Sequence, residues 1–161
     1  MKRIEYRIKE VEHSELARVK EINEIVLPEN YPFFFYETLY QNYKNVFLVA
    51  EADNKIVGYV MCRIERDVVF QPLPRFKRIG HIVSIAVLPE YRNQGIGTAL
   101  MNEVLSRMRR YYDVEYVYLE VRVSNEGAIR FYRRLGFKIT NRVKGYYRDG
   151  EDAYIMTLYF Q

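Results

Sequence analysis

The sequence predicts a mixed α/β fold, on three observations. Apolar segments of strand length alternate with segments of helical period. Two of the strand segments, His81–Leu88 and Glu115–Val123, are separated by one long amphipathic segment, the spacing of a parallel crossover. Two glycines, Gly95 and Gly97, fall between the first of those strands and the helix that follows it.

Glu5–Val11 alternates apolar and polar residues and reads as a strand. Ser14 is placed to cap a helix from Glu15 to about Val26, in which Leu16, Val19, Ile22 and Val26 share a face. Leu27-Pro28-Glu29-Asn30-Tyr31-Pro32 ends that helix in a loop, because proline disfavours helical geometry in the residue before it. A short helix follows over about Phe34–Asn42. Val46–Ala52 and Ile56–Ile64 read as a hairpin around Asp53-Asn54-Lys55. Asp67–Arg78, with its two prolines, is expected to be an irregular insertion. His81–Leu88 is an apolar strand and Pro89–Gly95 a loop. Ile96–Tyr111 is a helix with Leu100, Val104 and Met108 at helical spacing. Glu115–Val123 is a strand, and Ser124 or Asn125 caps a helix that ends near Leu135-Gly136. Phe137–Val143 and Ala153–Leu158 are late strands around a tip at Arg148-Asp149-Gly150.

A chain of 161 residues suits one compact domain over 1–161 with a real core. With 49% apolar residues it is not a disordered chain, and 29% charged residues is ordinary for a soluble surface. The net charge of +4 suits a polyanionic small molecule, but 21 acidic residues interleave with 25 basic ones and no long basic run exists, so no nucleic-acid partner is expected. The single cysteine, Cys62, excludes a disulfide framework and a cysteine-only metal site, and its apolar run makes it read as buried and inert. With only His13 and His81 as histidines, no metal centre is expected. No stretch reaches the roughly 18 apolar residues of a membrane helix. Met1-Lys2-Arg3-Ile4-Glu5-Tyr6 has no apolar signal core, so a cytoplasmic protein without membrane attachment is the expectation. Leu158-Tyr159-Phe160-Gln161 resembles the end of a protease-cleavage tag as well as native strand, and carries no functional weight.

A strand–glycine turn–helix unit exposes backbone N–H groups, and the helix N-terminus adds roughly half a positive charge. A pyrophosphate fits there, with Arg92 adding a charged contact; a plain turn that needs glycine for packing is the alternative. A P-loop is excluded, since Thr98 and no lysine follows Gly97. A dinucleotide fingerprint needs a third small residue where Leu100 stands, and glycines directly after the strand, where Pro89–Gln94 intervenes. Glu120 lies about where a ribose-binding acid would be, which keeps a nicotinamide-binding Rossmann domain as a rival.

The run Val83-Ser84-Ile85-Ala86-Val87-Leu88-Pro89-Glu90-Tyr91-Arg92-Asn93-Gln94-Gly95-Ile96-Gly97-Thr98-Ala99-Leu100 resembles the acetyl-CoA-binding motif of the GNAT superfamily. The signature there is Gln/Arg-x-x-Gly-x-Gly/Ala, read here as Arg92-Asn93-Gln94-Gly95-Ile96-Gly97. Asn125-Glu126-Gly127-Ala128-Ile129-Arg130-Phe131-Tyr132-Arg133-Arg134-Leu135-Gly136-Phe137 is similar to the family's second cofactor motif. Leu27–Pro32, Tyr118–Asn125 and Lys144-Gly145-Tyr146-Tyr147 narrow the resemblance to protein N-terminal acetyltransferases of the archaeal type, relatives of bacterial RimI and of eukaryotic catalytic subunits. The match covers nearly the whole chain, and Asp67–Lys77 is its least diagnostic part.

The resemblance implies the GNAT fold, in which the strand like His81–Leu88 parts from the next parallel strand and pantetheine lies in the gap. It implies acetyl-CoA as cosubstrate, held by Ile85, Ala86 and Val87 at the strand end, by Arg92, Asn93, Gln94, Gly95, Ile96, Gly97 and Thr98, and by Asn125 and Tyr132. A backbone N–H near Val87 would polarise the carbonyl. His81 and Glu120 would hold a water that relays the proton, and Tyr132, near the coenzyme sulfur, would donate to the thiolate or orient it. Read without the resemblance, His81 is a hydrogen-bonded strand histidine, Glu120 a partner for Arg122, Tyr132 a packed tyrosine among 16, and Asn125 a helix cap. The walls of the peptide slot would be Leu27, Pro28, Glu29 and Tyr31 on one side and Tyr146 and Tyr147 on the other.

An α-amine has a pKa of about 7.7–8.0 against about 10.4 for lysine, so deprotonating it is about 3.4 kcal/mol cheaper and a modest base suffices. The resemblance makes protein or nascent-peptide N-termini the expected acceptors, attacked directly in a ternary complex. The rivals are a small amine or internal lysine as acceptor, and a silent CoA-binding module. Contact with auxiliary subunits or the ribosome is left open by the resemblance.

Overall fold

The computed structural model describes residues 3–70 and 72–160; Met1, Lys2, Gln71 and Gln161, which the signal, insertion and tag readings include, lie outside them. In chain order the elements are β1 (Tyr6–Glu10), α1 (Leu16–Val26), α2 (Phe33–Tyr43), β2 (Phe47–Ala52), β3 (Lys55–Phe70), β4 (Pro74–Val87), α3 (Ile96–Tyr112), β5 (Tyr116–Arg122), α4 (Glu126–Arg134), β6 (Lys138–Val143) and β7 (Ala153–Tyr159). Short 3-10 turns lie at His13–Glu15, Lys44–Val46 and Pro89–Tyr91. The strands follow the order β1-β2-β3-β4-β5-β7-β6 in a seven-stranded mixed sheet, the expected α/β class. Two compact units divide the chain, one with the residues up to Arg63 and Ile82–Tyr112, the other with Ile64–His81 and the residues from Asp113 on. No helix is long and apolar enough to cross a membrane among the described residues.

In the first unit, β1, β2 and the start of β3 form an antiparallel meander, with Tyr6 opposite Ala52 and Phe47 opposite Met61. Its turn places Asp53 and Asn54 at φ 52° and 61°, the pair of left-handed residues that a two-residue hairpin turn requires and that Asp and Asn tolerate. Phe47 to Ala50 are buried on both faces of the sheet, because helices cover both. Leu16, Val19 and Ile22 of α1 and Leu100, Val104 and Met108 of α3 are fully buried, as their spacing predicts. Each such side chain contributes about 1.5–3 kcal/mol of burial.

In the second unit, β5 pairs antiparallel with β7, and β7 with β6. The first half of β4 runs parallel to β5, from Ile79 opposite Tyr116 to His81 opposite Tyr118. Val117, Leu119 and Val121 of β5 point into the core, and Tyr118, Glu120 and Arg122 occupy the other, half-buried face. That alternation places a glutamate mid-strand without burying it in apolar contacts.

Two expectations are corrected. Ser14 does not cap a helix: it lies inside the 3-10 turn, and α1 starts only at Leu16. The Glu15 carboxylate accepts the Glu12 N–H at 2.9 Å and pairs with Lys9 at 2.7 Å, so the capping box of the turn is made by Glu12 and Glu15 and not by Ser14. Nor is Asp67–Arg78 an irregular insertion. β3 continues to Phe70 and β4 begins at Pro74, so most of the segment is the end of a long hairpin. Pro74 is compatible with this because it is the first residue of its strand, where no ladder N–H is needed.

Candidate active site

The glycine turn is built on the first unit. The Ala99 N–H reaches the Gly95 carbonyl at 2.9 Å, so Gly95 opens α3 and the N–H groups of the helix's first turn lie outside its own ladder. No acidic residue stands in that turn. Gly95 has φ +83° and Asn93 φ +63°, a path that larger residues resist. The loop is tied down by groups the sequence reading missed: Ile4 donates its N–H to Gln94 Oε1 at 3.4 Å, and the Tyr6 hydroxyl donates to the Gly95 carbonyl at 3.4 Å. Arg92 is exposed and uses its Nε on the Val87 carbonyl at 3.0 Å, joining the loop to the end of β4. Asn93 and Thr98 are exposed too, Gln94 and Gly97 half-buried, and Ile96 buried as the first apolar residue of α3.

The strand end is set from below by Gly58. A Cβ there would stand 3.1 Å from the Ala86 carbonyl and 3.2 Å from a Val87 methyl, closer than packing tolerates without movement. Ile85 and Val87 lie half-buried on one face of β4, with Ser84 and Ala86 buried on the other. A backbone N–H donor array at a helix N-terminus, a basic side chain beside it and no nearby carboxylate in the turn are the donor set that a pyrophosphate needs, and the site fits coenzyme A on that ground.

In the second unit His81 and Glu120 come together. His81 is buried, and its Nε2 lies 2.7 Å from Glu120 Oε1. The contact is direct, so a relaying water would sit beside the pair rather than between its members. Glu120 does not pair with Arg122, whose guanidinium bonds Asp149 at 2.8 Å and Glu151 at 2.9 Å instead. Two further residues complete the cluster and escaped the sequence reading. Glu65 Oε2 lies 3.3 Å from His81 Nδ1, and the Tyr118 ring stacks on the imidazole at 4.4 Å and 7°. The Tyr118 hydroxyl donates to Glu65 at 2.7 and 2.8 Å. Tyr118 was findable, being two residues before Glu120 and therefore on its face of the strand. Glu65 stood one residue past the predicted end of its strand.

Asn125 is the cap of α4, its Oδ1 accepting the Ala128 N–H at 3.2 Å. Tyr132 is half-buried on the same helix, edge-to-face with Phe131 and Phe137.

The loop after α1 is held by a chain of neutral groups. Asn23, fully buried, donates from Nδ2 to the Glu29 carbonyl at 3.0 Å and to the Tyr59 hydroxyl at 3.1 Å, and accepts at Oδ1 from Asn30 at 3.0 Å. Asn30 also donates to the Leu27 carbonyl, and Tyr59 bonds Ser84 of β4 at 2.7 Å. Leu27 is extended, Pro28 exposed, Glu29 half-buried, and Tyr31 stacks on Phe35 at 4.8 Å. Tyr146 and Tyr147 lie in the connection between β6 and β7, edge-to-face at 4.9 Å, with the Arg122 guanidinium 4.1 Å from the centre of the Tyr147 ring. The Asp149 carboxyl is held below its ordinary range by the Glu151 N–H and then by Arg122; that of Glu151 by Ser124 and then by Arg122.

The acetyltransferase (GNAT) family profile matches residues 16–137, which include the glycine turn, His81 and Glu120. The chain belongs to that family. Its sequence is 47% identical over 153 residues to the N-alpha-acetyltransferase of Sulfurisphaera tokodaii, covering 94% of this chain and 92% of that protein. The crystal structure of Ard1 from Thermoplasma volcanium superposes with a TM-score of 0.81 at 29% identity, over 97% and 98% of the two chains. Arabidopsis thaliana Naa50 in complex with the bisubstrate analogue CoA-Ac-MVNAL gives 0.79 at 27%, over 96% and 99%.

Proposed function

We propose that this acetyl-CoA-dependent N-terminal acetyltransferase passes the acetyl group directly to a protein α-amine, with His81 and Glu120 as the base. The observation that carries the mechanism is the 2.7 Å contact between His81 Nε2 and Glu120 Oε1 on adjacent strands. Family membership draws on both units, since the matched residues 16–137 run through each, and the whole of 1–161 is read as one catalytic domain.

Acetyl-CoA supplies a thioester carbonyl as the electrophile. The chain's own residues do the rest. Gly95, Ile96, Gly97 and Thr98 offer backbone donors to the pyrophosphate, Asn93 and Gln94 shape the loop, and Arg92 adds charge. The strand end Ile85-Ala86-Val87 lines the pantetheine path, with the Val87 N–H polarising the carbonyl. Leu27, Pro28, Glu29 and Tyr31 of the first unit are assigned to peptide binding, and so are Tyr146 and Tyr147 of the second, whose hydroxyls and rings suit a backbone and an apolar side chain. Glu29 pairs with the incoming ammonium. His81 with Glu120 takes the amine proton, a transfer worth about 10²–10⁴-fold in rate. Tyr132 donates a proton to the leaving sulfur, and Asn125, while capping α4, contacts the coenzyme. The bisubstrate ligand of the Naa50 relative, which joins CoA to a peptide, supports direct transfer with both substrates bound.

The test is a pair of peptides with the same sequence and an internal lysine, one with a free and one with a blocked α-amine. Incubation with acetyl-CoA and mass spectrometry should show acetylation of the free N-terminus alone. Comparable acetylation of the blocked peptide would overturn the acceptor assignment.

A further inference from the structure

The loop from Leu88 to Gly95 carries the donors of the glycine turn, but it lies outside the ladders of sheet and helix. Its start is a single 3-10 turn, in which the Tyr91 N–H reaches the Leu88 carbonyl at 2.9 Å. The β2–β3 hairpin meets this region at three places. The Leu88 N–H donates to the Val57 carbonyl at 2.9 Å, and Gly58 lies against Ala86 and Val87. Both of these hold the strand end. The third contact reaches past it into the loop: the Tyr91 hydroxyl donates to Asp53 Oδ2 at 2.9 Å. Tyr91 is buried and the Lys55 ammonium stands 5.5 Å from its ring centre, whereas Asp53 and Lys55 are exposed. A buried ring thus sends its hydroxyl out to a surface carboxylate, an ionised acceptor that strengthens the bond. Asp53 is itself fixed, at φ 52° in the tight turn. The ties at the far end of the loop, from Ile4 and Tyr6, are both 3.4 Å and long for hydrogen bonds.

We infer that Asp53 and Tyr91 form a latch by which the β2–β3 turn positions the coenzyme loop. They are positioning residues for acetyl-CoA, and they act through the backbone of residues 92–98. The inference rests on the assignment of that backbone to the pyrophosphate. A donor array that is already in place does not have to be ordered when the ligand binds. A loop without its latch spends part of its time on other paths, and the apparent affinity falls by the fraction that remains competent. Once acetyl-CoA is bound, the loop is in place whether or not the latch is closed. The latch therefore governs the binding of acetyl-CoA and leaves the rate of the saturated enzyme alone.

Acetyl-CoA binding to the full chain is measured by calorimetry, with steady-state kinetics beside it. Tyr91→Phe keeps the buried ring and removes the donor. Its Kd for acetyl-CoA should rise about three- to tenfold, the range that one lost hydrogen bond allows. Its KM for peptide, and its kcat at saturating acetyl-CoA, should stay within about twofold of wild type. Asp53→Gly accepts the φ of the turn and removes the acceptor, so it should weaken acetyl-CoA binding as Tyr91→Phe does. Asp53→Asn keeps both an acceptor and a side chain that tolerates this φ, and should bind nearly as wild type does. Two changes that break the same bond do not add, so Tyr91→Phe combined with Asp53→Gly should bind no worse than the weaker single variant. An unchanged Kd in Tyr91→Phe, losses that multiply in the double variant, or an Asp53→Asn as weak as Asp53→Gly would overturn the inference. Gly95→Ala, strained at φ +83°, is measured alongside after circular dichroism shows it folded. Wild-type affinity there removes the loop assignment itself, whereas weak binding in Gly95→Ala beside normal binding in Tyr91→Phe removes only the latch.

Discussion

Two polar clusters lie in this fold, one around His81 and one around Asn23, and they are built from opposite materials. The first sets an imidazole between two carboxylates, with a phenol bracing one of them. The second links amide, phenol and alcohol, Asn23 to Tyr59 to Ser84, and holds the 27–31 loop by its Glu29 and Leu27 carbonyls. Every partner in the first can change its charge when a proton moves through it. The partners in the second stay neutral: burial pushes the Tyr59 phenol up, against its hydrogen bonds to Ser84 and Asn23. Charge suits the transfer of a proton, and neutrality suits the holding of a shape. The difference accords with the proposed roles, chemistry for the strand cluster and geometry for the helix cluster.

The largest effect should come from breaking the charged cluster. His81→Ala combined with Glu120→Ala should lower kcat by about 10²–10⁴-fold, the range of general-base contributions. Acetyl-CoA affinity by calorimetry should stay nearly unchanged, since neither side chain belongs to the glycine turn. Near-normal turnover in the double variant would end the assignment.

Breaking the neutral cluster should read out differently. Asn23→Leu leaves the Glu29 carbonyl, Asn30 and the Tyr59 hydroxyl to find other partners in a site that is fully buried. A stranded buried polar group costs about 1–3 kcal/mol, so a loss of roughly 3 kcal/mol is expected. At about 2–4 °C per kcal/mol for a chain of this size, Tm should fall by about 6–12 °C. In the fraction that stays folded, KM for peptide should rise more than kcat falls. An equal loss of both, with peptide KM unchanged, would dissolve the distinction between the clusters.

These two clusters also mark what was legible in the sequence. His81 and Glu120 were named from the family resemblance, and they lie 2.7 Å apart; Gly95 was named from its place between strand and helix, and its φ is +83°. The partners were harder. Tyr118 and Glu65 reach the imidazole from strands whose parallel pairing and length only the fold reveals; the predicted strand stopped at Ile64, one residue early, because the charges and prolines from Glu65 onward read as insertion. Asn23 did leave a signal, since it falls at helical spacing from Leu16 and Val19 on the buried face, where a polar residue needs a reason. Its reason is a loop carbonyl six residues on, which periodicity does not display. Gly58 escaped for a similar cause, as its constraint comes from Ala86 and Val87, far along the chain.

The pH response of the neutral cluster gives a smaller test. Tyr59 has its pKa raised in the folded state, so it favours folding fully below the unfolded tyrosine value of about 10, and that stability is lost as pH rises from there through the folded value. Unfolding curves taken above about pH 10 should therefore show a falling stability that is weaker in Tyr59→Phe. Equal slopes in both proteins would place the alkaline loss elsewhere.

The smallest expected effect lies on α2. Tyr36 of α2 is as buried as Asn23, and its ring meets Tyr31 edge-on at 6.1 Å, but its hydroxyl is the buried side-chain polar atom without a hydrogen-bond partner among the described residues. Burial pushes its phenol well up from the ordinary tyrosine value, so the group stays neutral and stranded. Removing an orphan hydroxyl while keeping the ring should leave stability unchanged or raise it by about 1 kcal/mol, which thermal unfolding resolves as about 2–4 °C. Phe at this position also fills the same space, so no cavity offsets the gain. If Tyr36→Phe instead raises KM for peptide with Tm unchanged, the hydroxyl serves the acceptor, and the helix cluster extends from shaping the loop to touching what the loop binds.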